Sequence, residues 1–363
     1  MHNRYSRQII LPNFGTHAQN LLANSKVLVV GAGGLGIPVL QYLVSAGVGE
    51  LGIADGDAIE ISNLQRQVIY SEAEIGYNKA KIAKEKLSNL NSEVIIEFYD
   101  FFINQHSVFN IIEKYDVVVD CTDHFSIRYL LNDVCFLLKK PLVFASVFQF
   151  EAQLSVFHYG ENSFNLRDVF SQIPNQNSVP NCNESGVLGA LTGIIGCLQA
   201  NEVIKIITKI GSVNSGKLLL FNSLINQITQ IDISKNSEIF LPKSKNDILN
   251  SNYGFLCSDI FYVDKLVHLE KLLKDKKSIL IDVRERDEFP KITLFPVLEI
   301  PLSELLSHIA LLEPFHTLIF ICKSGLRSKK AIHLLQELNV DKIFYSIKNG
   351  VEIFDNNCYE NEK

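Results

Sequence analysis

No two of the seven cysteines in this chain are spaced C-x-x-C. That excludes a zinc knuckle of paired cysteines, and the irregular spacing excludes a disulfide framework. Free thiols fit a cytoplasmic location. The opening residues, "MHNRYSRQ", lack the apolar run of a secretory leader. Long hydrophobic runs are also missing. The least charged stretch, "SGVLGALTGIIGCLQAN", is shorter than the roughly 20 residues of a membrane span. It reads as a buried helix, so no membrane partner is expected. Basic residues are not in excess: 34 Lys and Arg stand against 40 Asp and Glu, a net charge of -6. This excludes a broad basic face for nucleic acid or an anionic membrane. No internal repeat is present. What the chain does have is apolar residues, 47% of its 363. That is enough for real cores, and the length suggests two or three domains.

The first half alternates short apolar runs with helical patterns. Strands are expected near 26–30, 50–55, 93–99, 116–120 and 141–147, with a helix in "NKAKIAKEKLSNL" from Asn78. This alternation predicts an α/β fold with a mostly parallel sheet covered on both faces. Pro38 suits an early helical turn, where its missing N–H costs little. From 163 to 184 the pattern stops, and "SQIPNQNSVPNCNESG" reads as a long mobile loop. A helix over 187–207 follows, with Gly189, Gly193 and Gly196 spaced for close packing. Residues 232–258 are polar and weakly patterned, as in a linker. A second alternating region, 259–358, holds "SILIDV", "TLIFIC" and "SKKAIHLLQEL". It predicts a separate small α/β domain of a common size.

The residues "GAGGLG", from Gly31 through Gly33 and Gly34 to Gly36, lie between the run "KVLVV" and a helix. They satisfy G-x-G-x-x-G, whose glycines allow a tight turn and close approach of backbone to phosphate. The helix N-terminus adds positive potential. Asp55 at the end of the next strand is placed to accept hydrogen bonds from a ribose. So far a dinucleotide would serve. Asn63, Arg66, Gln67 and Lys79 follow, and Asp123 ends the strand in "VVVDCTDH". A guanidinium and an ammonium suit a triphosphate, and a carboxylate could hold magnesium beside it. All lie in loops at the carboxyl ends of strands, where open α/β sheets place ligands.

These motifs, with "RYSRQIILPNFG", "SNLQRQ", "GYNKAK" and "SGVLGALTGIIGCLQANEVIK", resemble the MoeB/ThiF family, relatives of ubiquitin-activating enzymes. The likeness covers residues 1–231. The second region resembles a rhodanese through "LIDVRERDEF" and "CKSGLRS". The resemblance implies a Rossmann-like ATP-binding domain with a fused sulfurtransferase. It implies ATP-dependent adenylation of the C-terminal glycine of a ubiquitin-like sulfur carrier ending in Gly-Gly, then sulfur transfer to give a thiocarboxylate. By motif, Asp55 would bind ribose, Asn63, Arg66 and Lys79 phosphates, and Asp123 magnesium. Arg7 would reach the ATP of the second subunit of a homodimer. A MoaD-type carrier of the molybdopterin pathway is favoured, and a ThiS-type carrier of thiamine synthesis is the alternative. A persulfide donor such as a cysteine desulfurase is implied.

Cys182, in "PNCNESGV", is either an inert loop thiol or, as in family members, one used in thioester or acyl-disulfide chemistry. Cys121 reads as a packing residue. Cys322 opens a loop, Lys323, Ser324, Gly325, Leu326, Arg327 and Ser328, that leads into a helix. Inward N–H groups, the helix N-terminus and Arg327 would lower the thiol pKa and stabilise a persulfide anion. Family members often hold zinc with two CxxC pairs; here "ENSFNLRD" and "DISKNSEIFLPKSK" stand in their places, so no zinc is expected. In the second domain "KITLFPVLEIPL" replaces the usual small-residue turn, which predicts an altered loop. Two other readings use fewer of these residues. A nicotinamide-dependent oxidoreductase would need only the glycines and Asp55. A non-catalytic scaffold for a ubiquitin-like partner would need no intact phosphate site. Adenylation of a ribosomal peptide is a further member of the same chemistry.

Overall fold

The structure is a computed structural model that describes residues 3–161, 163–173, 186–251, 253, 261–263, 266–337, 342–348 and 350–354. The chain divides into two compact units, 1–253 and 254–363.

The first unit is built on an eight-stranded sheet of order β3-β2-β1-β4-β5-β6-β7-β8. Strands β1 (Lys26–Val30), β2 (Glu50–Ala54), β3 (Ile95–Tyr99), β4 (Val117–Asp120) and β5 (Leu142–Phe148) run parallel. The central strand β1, "KVLVV", is apolar without alternation because helices cover both its faces. The helix Gly36–Ala46 carries Pro38 in its first turn and ends at Gly47 in the left-handed conformation. Asn78 caps the helix Lys79–Leu90, its side chain accepting the N–H of Lys81. Strands β6 (Glu151–Phe157), β7 (Lys217–Asn222) and β8 (Gln227–Asp232) add an antiparallel wing.

The helix expected over 187–207 runs Gly189–Thr208. By length and composition alone its 20 residues could cross a membrane, but half of that stretch is buried in the structure. Its residues Leu191, Ile195, Val203 and Ile206 lie in the core of the first unit. Two of its glycines permit close packing. A Cβ on Gly196 would sit 2.5 Å from the Leu35 carbonyl oxygen, and one on Gly189 2.3 Å from that of Gln65, whereas Gly193 faces open space.

The stretch read as linker departs from that reading up to residue 253. The helix Lys245–Leu249 lies in it, and Gln105 Nε2 donates to the carbonyls of Ile248 and Ser251 at 2.7 and 2.8 Å. Tyr253, buried, donates to Asp133 Oδ2 at 2.9 Å. The loop region also contains a short helix, Leu166–Val169. Where paired cysteines would have met, other groups do. Asp168 Oδ1 accepts the N–H of Asn236 at 2.9 Å. The Arg167 guanidinium stands 5.4 Å from the Phe240 ring, and the Lys235 ammonium 5.8 Å from that of Phe164. Beneath them Arg167 makes two bonds to buried Asp133, at 3.0 and 2.7 Å. Asn132 accepts from His158 Nε2 at 3.0 Å and from the Leu166 N–H.

The second unit holds a five-stranded parallel sheet of order β11-β10-β12-β13-β9. Its strands are β9 (Phe261–Val263), β10 (Ser278–Asp282), β11 (Val297–Glu299), β12 (Thr317–Ile321) and β13 (Ile343–Ile347). Two apolar clusters form in this unit, one around Phe320, Cys322 and Phe344, the other around Leu280, Ile319 and Ile347. The altered loop is an irregular stretch after β10 that ends in β11, where Lys291 pairs with Glu299 at 3.2 Å.

Candidate active sites

Strand order in the first unit reverses between β1 and β4, the place where such sheets open a crevice at their carboxyl ends. The glycine turn follows β1, and "CTD" follows β4. They approach closely: a Cβ on Gly31, whose φ is +97°, would meet the Cys121 carbonyl oxygen at 2.6 Å. A Cβ on Gly36 would meet the Gly31 carbonyl oxygen at 1.8 Å, and one on Gly34 the Thr192 hydroxyl at 2.9 Å. Glycine at these points lets the turn pack this closely against the end of β4 and the helix Gly189–Thr208. Gln67, buried, places its amide nitrogen 3.5 Å from the Cβ position of Gly33. Its Oε1 is buried with no hydrogen-bond partner.

Asp55 fixes this turn. Its Oδ2 accepts the N–H of Ala32 at 2.7 Å and its Oδ1 that of Asp57 at 2.9 Å. Each oxygen keeps a second lone pair for a ribose hydroxyl. Burial raises the Asp55 pKa, while Lys79 pulls it down. Lys79 is itself buried, its Nζ 2.8 Å from Asp57 Oδ2. Burial opposes its charge, but Asp55, Asp57 and Asp123 together hold it protonated. So three carboxylates gather around one ammonium. Asp123 is exposed beside His124, 3.6 Å away. Among the described residues no three acidic, His or Cys side chains cluster as a metal cage. A lone carboxylate joined by substrate phosphates is nevertheless the usual way proteins hold magnesium.

Other expected residues are placed differently. Asn63 is buried in a short turn, its Oδ1 accepting the Glu60 N–H at 3.2 Å. Arg66 Nη1 donates to the Ser62 carbonyl at 3.0 Å. Arg7 is exposed on the helix Ser6–Ile9. Its neighbour Gln8 bonds Ala46 O at 3.2 Å, ahead of β2. That is the amino end of the strands, whereas the glycine turn lies at their carboxyl end, so the structure does not bring Arg7 to its own chain's site. Cys182 lies outside the described residues. Cys121 is buried, its thiol 3.5 Å from Gln199 Oε1, and burial raises its pKa well above normal.

Three residues escaped sequence reading. Asp57, two places after Asp55, holds Lys79. Tyr70 is buried with its hydroxyl 3.0 Å from both Ala32 O and Lys79 O, tying the glycine turn to the start of the lysine helix. Gln199 Nε2 donates to Asp120 O at 2.9 Å and so fixes the end of β4. Only Asp57 had a local signal, the repeat "DGD".

In the second unit Cys322 follows β12 and is buried. Its Sγ accepts the N–H groups of Gly325 at 3.1 Å and Ser328 at 3.4 Å. Burial alone would raise the thiol pKa. The N–H and hydroxyl of Ser328 and the N–H groups of Ser324 and Gly325 outweigh it, and the net shift is downward. Arg327 adds its charge to this from a distance, through a Coulombic attraction with the Cys322 thiolate, while its guanidinium bonds elsewhere. It forms a two-pronged ion pair with Glu288, at 2.5 and 2.8 Å, and that pairing holds Glu288 down to about 2. The anion is therefore stabilised by amide dipoles and a hydroxyl at contact distance, with the Glu288-paired guanidinium adding a through-space attraction. Gly350, at φ +60°, closes the loop from below: a Cβ there would meet the Cys322 carbonyl oxygen at 2.1 Å.

Residues 5–240 match the family model described as ThiF family, about two thirds of the chain. The chain belongs to the ThiF family. Residues 266–357 match a Rhodanese-like domain. Among curated relatives, "Adenylyltransferase and sulfurtransferase MOCS3" of Drosophila grimshawi is 36% identical over 99% of this chain and 85% of that protein. The protein of the same name from Drosophila willistoni is 41% identical over 84% of this chain and 70% of its own length. Among solved structures, E. coli MccB with ATP is 25% identical with a TM-score of 0.58, covering 66% of this chain and 74% of that one. The glycine turn, Asp55, Lys79 and Asp123 lie within the ThiF-family match, and Cys322 lies within the rhodanese-like one.

Proposed function

We propose that this ThiF-family chain uses ATP to adenylate the C-terminal glycine carboxylate of a ubiquitin-like sulfur carrier, then converts it to a thiocarboxylate with sulfur carried on Cys322. The observation that carries the proposal is the pairing, in one chain, of a glycine turn at the carboxyl end of β1 beside a carboxylate-ringed lysine with a thiol poised as an anion. It agrees with the two activities in the name of the MOCS3 relatives. A nicotinamide enzyme would leave both Lys79 and the Cys322 loop without use.

In this reading the glycine turn and the N-terminus of Gly36–Ala46 receive the phosphates, and Asp55 the ribose. Lys79 leaves Asp57 to neutralise the triphosphate, with Arg66, Asn63 and Gln67 at its rim. Asp123 would hold magnesium, which would spread the charge of the leaving pyrophosphate. Arg7 serves the site of a second copy in a homodimer. The attacking carboxylate is already ionised, so no general base is required; positioning and charge neutralisation suffice. The carboxylate oxygen bonds the α-phosphorus and pyrophosphate leaves. The persulfide sulfur of Cys322 then bonds the carbonyl carbon and AMP leaves. A further thiol, with Cys182 the candidate, attacks Cys322 Sγ to release the thiocarboxylate, and an external thiol reduces the disulfide that remains.

ATP–pyrophosphate exchange tests the first half. Exchange is expected with a MoaD-type carrier ending in Gly-Gly, and exchange only with a ThiS-type carrier would move the protein to the thiamine pathway. Exchange with neither would defeat carrier adenylation. For the second half, Cys322→Ala should retain exchange and abolish thiocarboxylate formation from a persulfide donor.

A further inference from the structure

Beneath the Cys322 loop lies a hydroxyl from outside it. Ser346, on β13, is fully buried, and its Oγ is 2.8 Å from Ser328 Oγ. Ser328, also fully buried, has its Oγ 3.6 Å from Cys322 Sγ and 2.9 Å from the carbonyl of Gly325. Each hydroxyl has one proton to give and two lone pairs to accept with. The carbonyl of Gly325 can only accept. When Ser328 donates to it or to the sulfur, the donor that reaches the Ser328 oxygen is the Ser346 hydroxyl. Without that donor, the remaining proton near the Ser328 oxygen is the S–H of Cys322 itself. A thiol that donates is a thiol held neutral, and an anion would lose the Ser328 proton aimed at it.

We propose that Ser346 is a positioning residue that favours the anionic form of Cys322 by occupying the acceptor side of Ser328, leaving the Ser328 proton free for the sulfur. Such a chain also polarises Ser328, since a hydroxyl that accepts a bond donates a stronger one. This rests on reading Cys322 as the sulfur-carrying thiol. The charged side chains on the surrounding elements are Lys323, Arg327 and Lys329 from the loop and its helix, Asp282, Arg284 and Glu288 around the end of β10, and Lys348 after β13. Arg327 is paired with Glu288 and Arg284 with Asp282, at 2.7 Å for the latter. Removing a neutral hydroxyl leaves these pairs in place, so a shift in the thiol reports the hydroxyl chain.

The test is the rate of Cys322 alkylation by iodoacetamide against pH in the full chain, read at that residue by peptide mass spectrometry. Ser346→Ala should move the midpoint upward by about half to one pH unit, slowing alkylation about three- to tenfold below the midpoint, because only the thiolate reacts. Ser346→Thr and Ser346→Val have nearly the same shape and differ in the hydroxyl. Thr should stay close to wild type and Val should follow Ala, which keeps the comparison alive if Ala destabilises the unit. In a Ser328→Ala background, Ser346→Ala should add nothing. An unchanged midpoint in both Ala and Val, or an undiminished shift on top of Ser328→Ala, overturns the proposal. A separate readout addresses the reading beneath it. Treatment with inorganic polysulfide should add a sulfur atom to Cys322 by mass. If none is added, the sulfur-carrying role falls, while the alkylation midpoints still judge Ser346.

Discussion

Gly36→Ala asks whether the glycine turn does what its shape implies. The new Cβ would lie 1.8 Å from the Gly31 carbonyl oxygen. Real Cβ contacts begin near 3.0 Å, so the two backbones must part by about 1.2 Å. No rotamer change can relieve this, because the obstructing atom is main chain. Gly31 is also pinned, its N–H donating to Ala54 O at 2.8 Å. Overpacking of this kind costs about 1–3 kcal/mol, offset by up to about 1 kcal/mol of helix propensity. The functional loss should be larger, since a displacement of about 1 Å in a reacting site can cost roughly a hundredfold. ATP–pyrophosphate exchange should therefore fall about a hundredfold, with urea unfolding showing a net loss of about 1–2 kcal/mol. Gly193→Ala is the matched control: its Cβ meets nothing within 4 Å, and stability should rise by about 0.5–1 kcal/mol with exchange unchanged. Exchange by Gly36→Ala within threefold of wild type would refute the assignment of the turn to ATP.

Other consequences can be measured alongside. Burial lowers the His158 pKa from 6.5 to about 4, so the folded state refuses a proton that the unfolded chain takes. Stability tied to this residue is complete above pH 6.5 and is lost as pH falls toward 4, by about 3 kcal/mol. Asp55, whose pKa is raised, works in the opposite sense, so the comparison is the difference between wild type and His158→Gln in urea unfolding; parallel pH curves would contradict the assignment. Asp133→Asn leaves buried Arg167 without its anion and should cost about 3–5 kcal/mol, a value that equilibrium unfolding checks directly. Glu288, held near 2 by Arg327, lends stability that is complete above its ordinary 4.5 and vanishes between there and about pH 2; Glu288→Gln should remove that acid limb from the unfolding profile.

The parallel half of the first sheet was legible because buried strands read as unbroken apolar runs, and β1 begins and ends where "KVLVV" does. The antiparallel wing was not, because β8 is exposed along its whole length and "QITQID" carries no inward face to betray it. The helix Lys245–Leu249 escaped for a similar reason: one residue of it, Ile248, is buried, too few for a period. In the site, glycines and charged residues announced themselves, since few other residues tolerate those conformations or suit that chemistry. Partners did not. Nothing local to Arg327 tells that Glu288, 39 positions away, will claim it, nor that Tyr70 will span Ala32 and Lys79. Pairings of that kind are decided by the sheet, after the strands are in place.

The commitment of Arg327 to Glu288 has a consequence for the medium in which the protein works. A thiolate held by a nearby free cation weakens as salt rises, because mobile ions screen that attraction over roughly 8–10 Å. The Cys322 sulfur is instead surrounded by N–H groups and a hydroxyl at contact distance, where no ion can intervene. That support should thus hold as ionic strength rises, and only the through-space share that Arg327 contributes should fade, so the thiol's readiness to react should fall only slightly with salt.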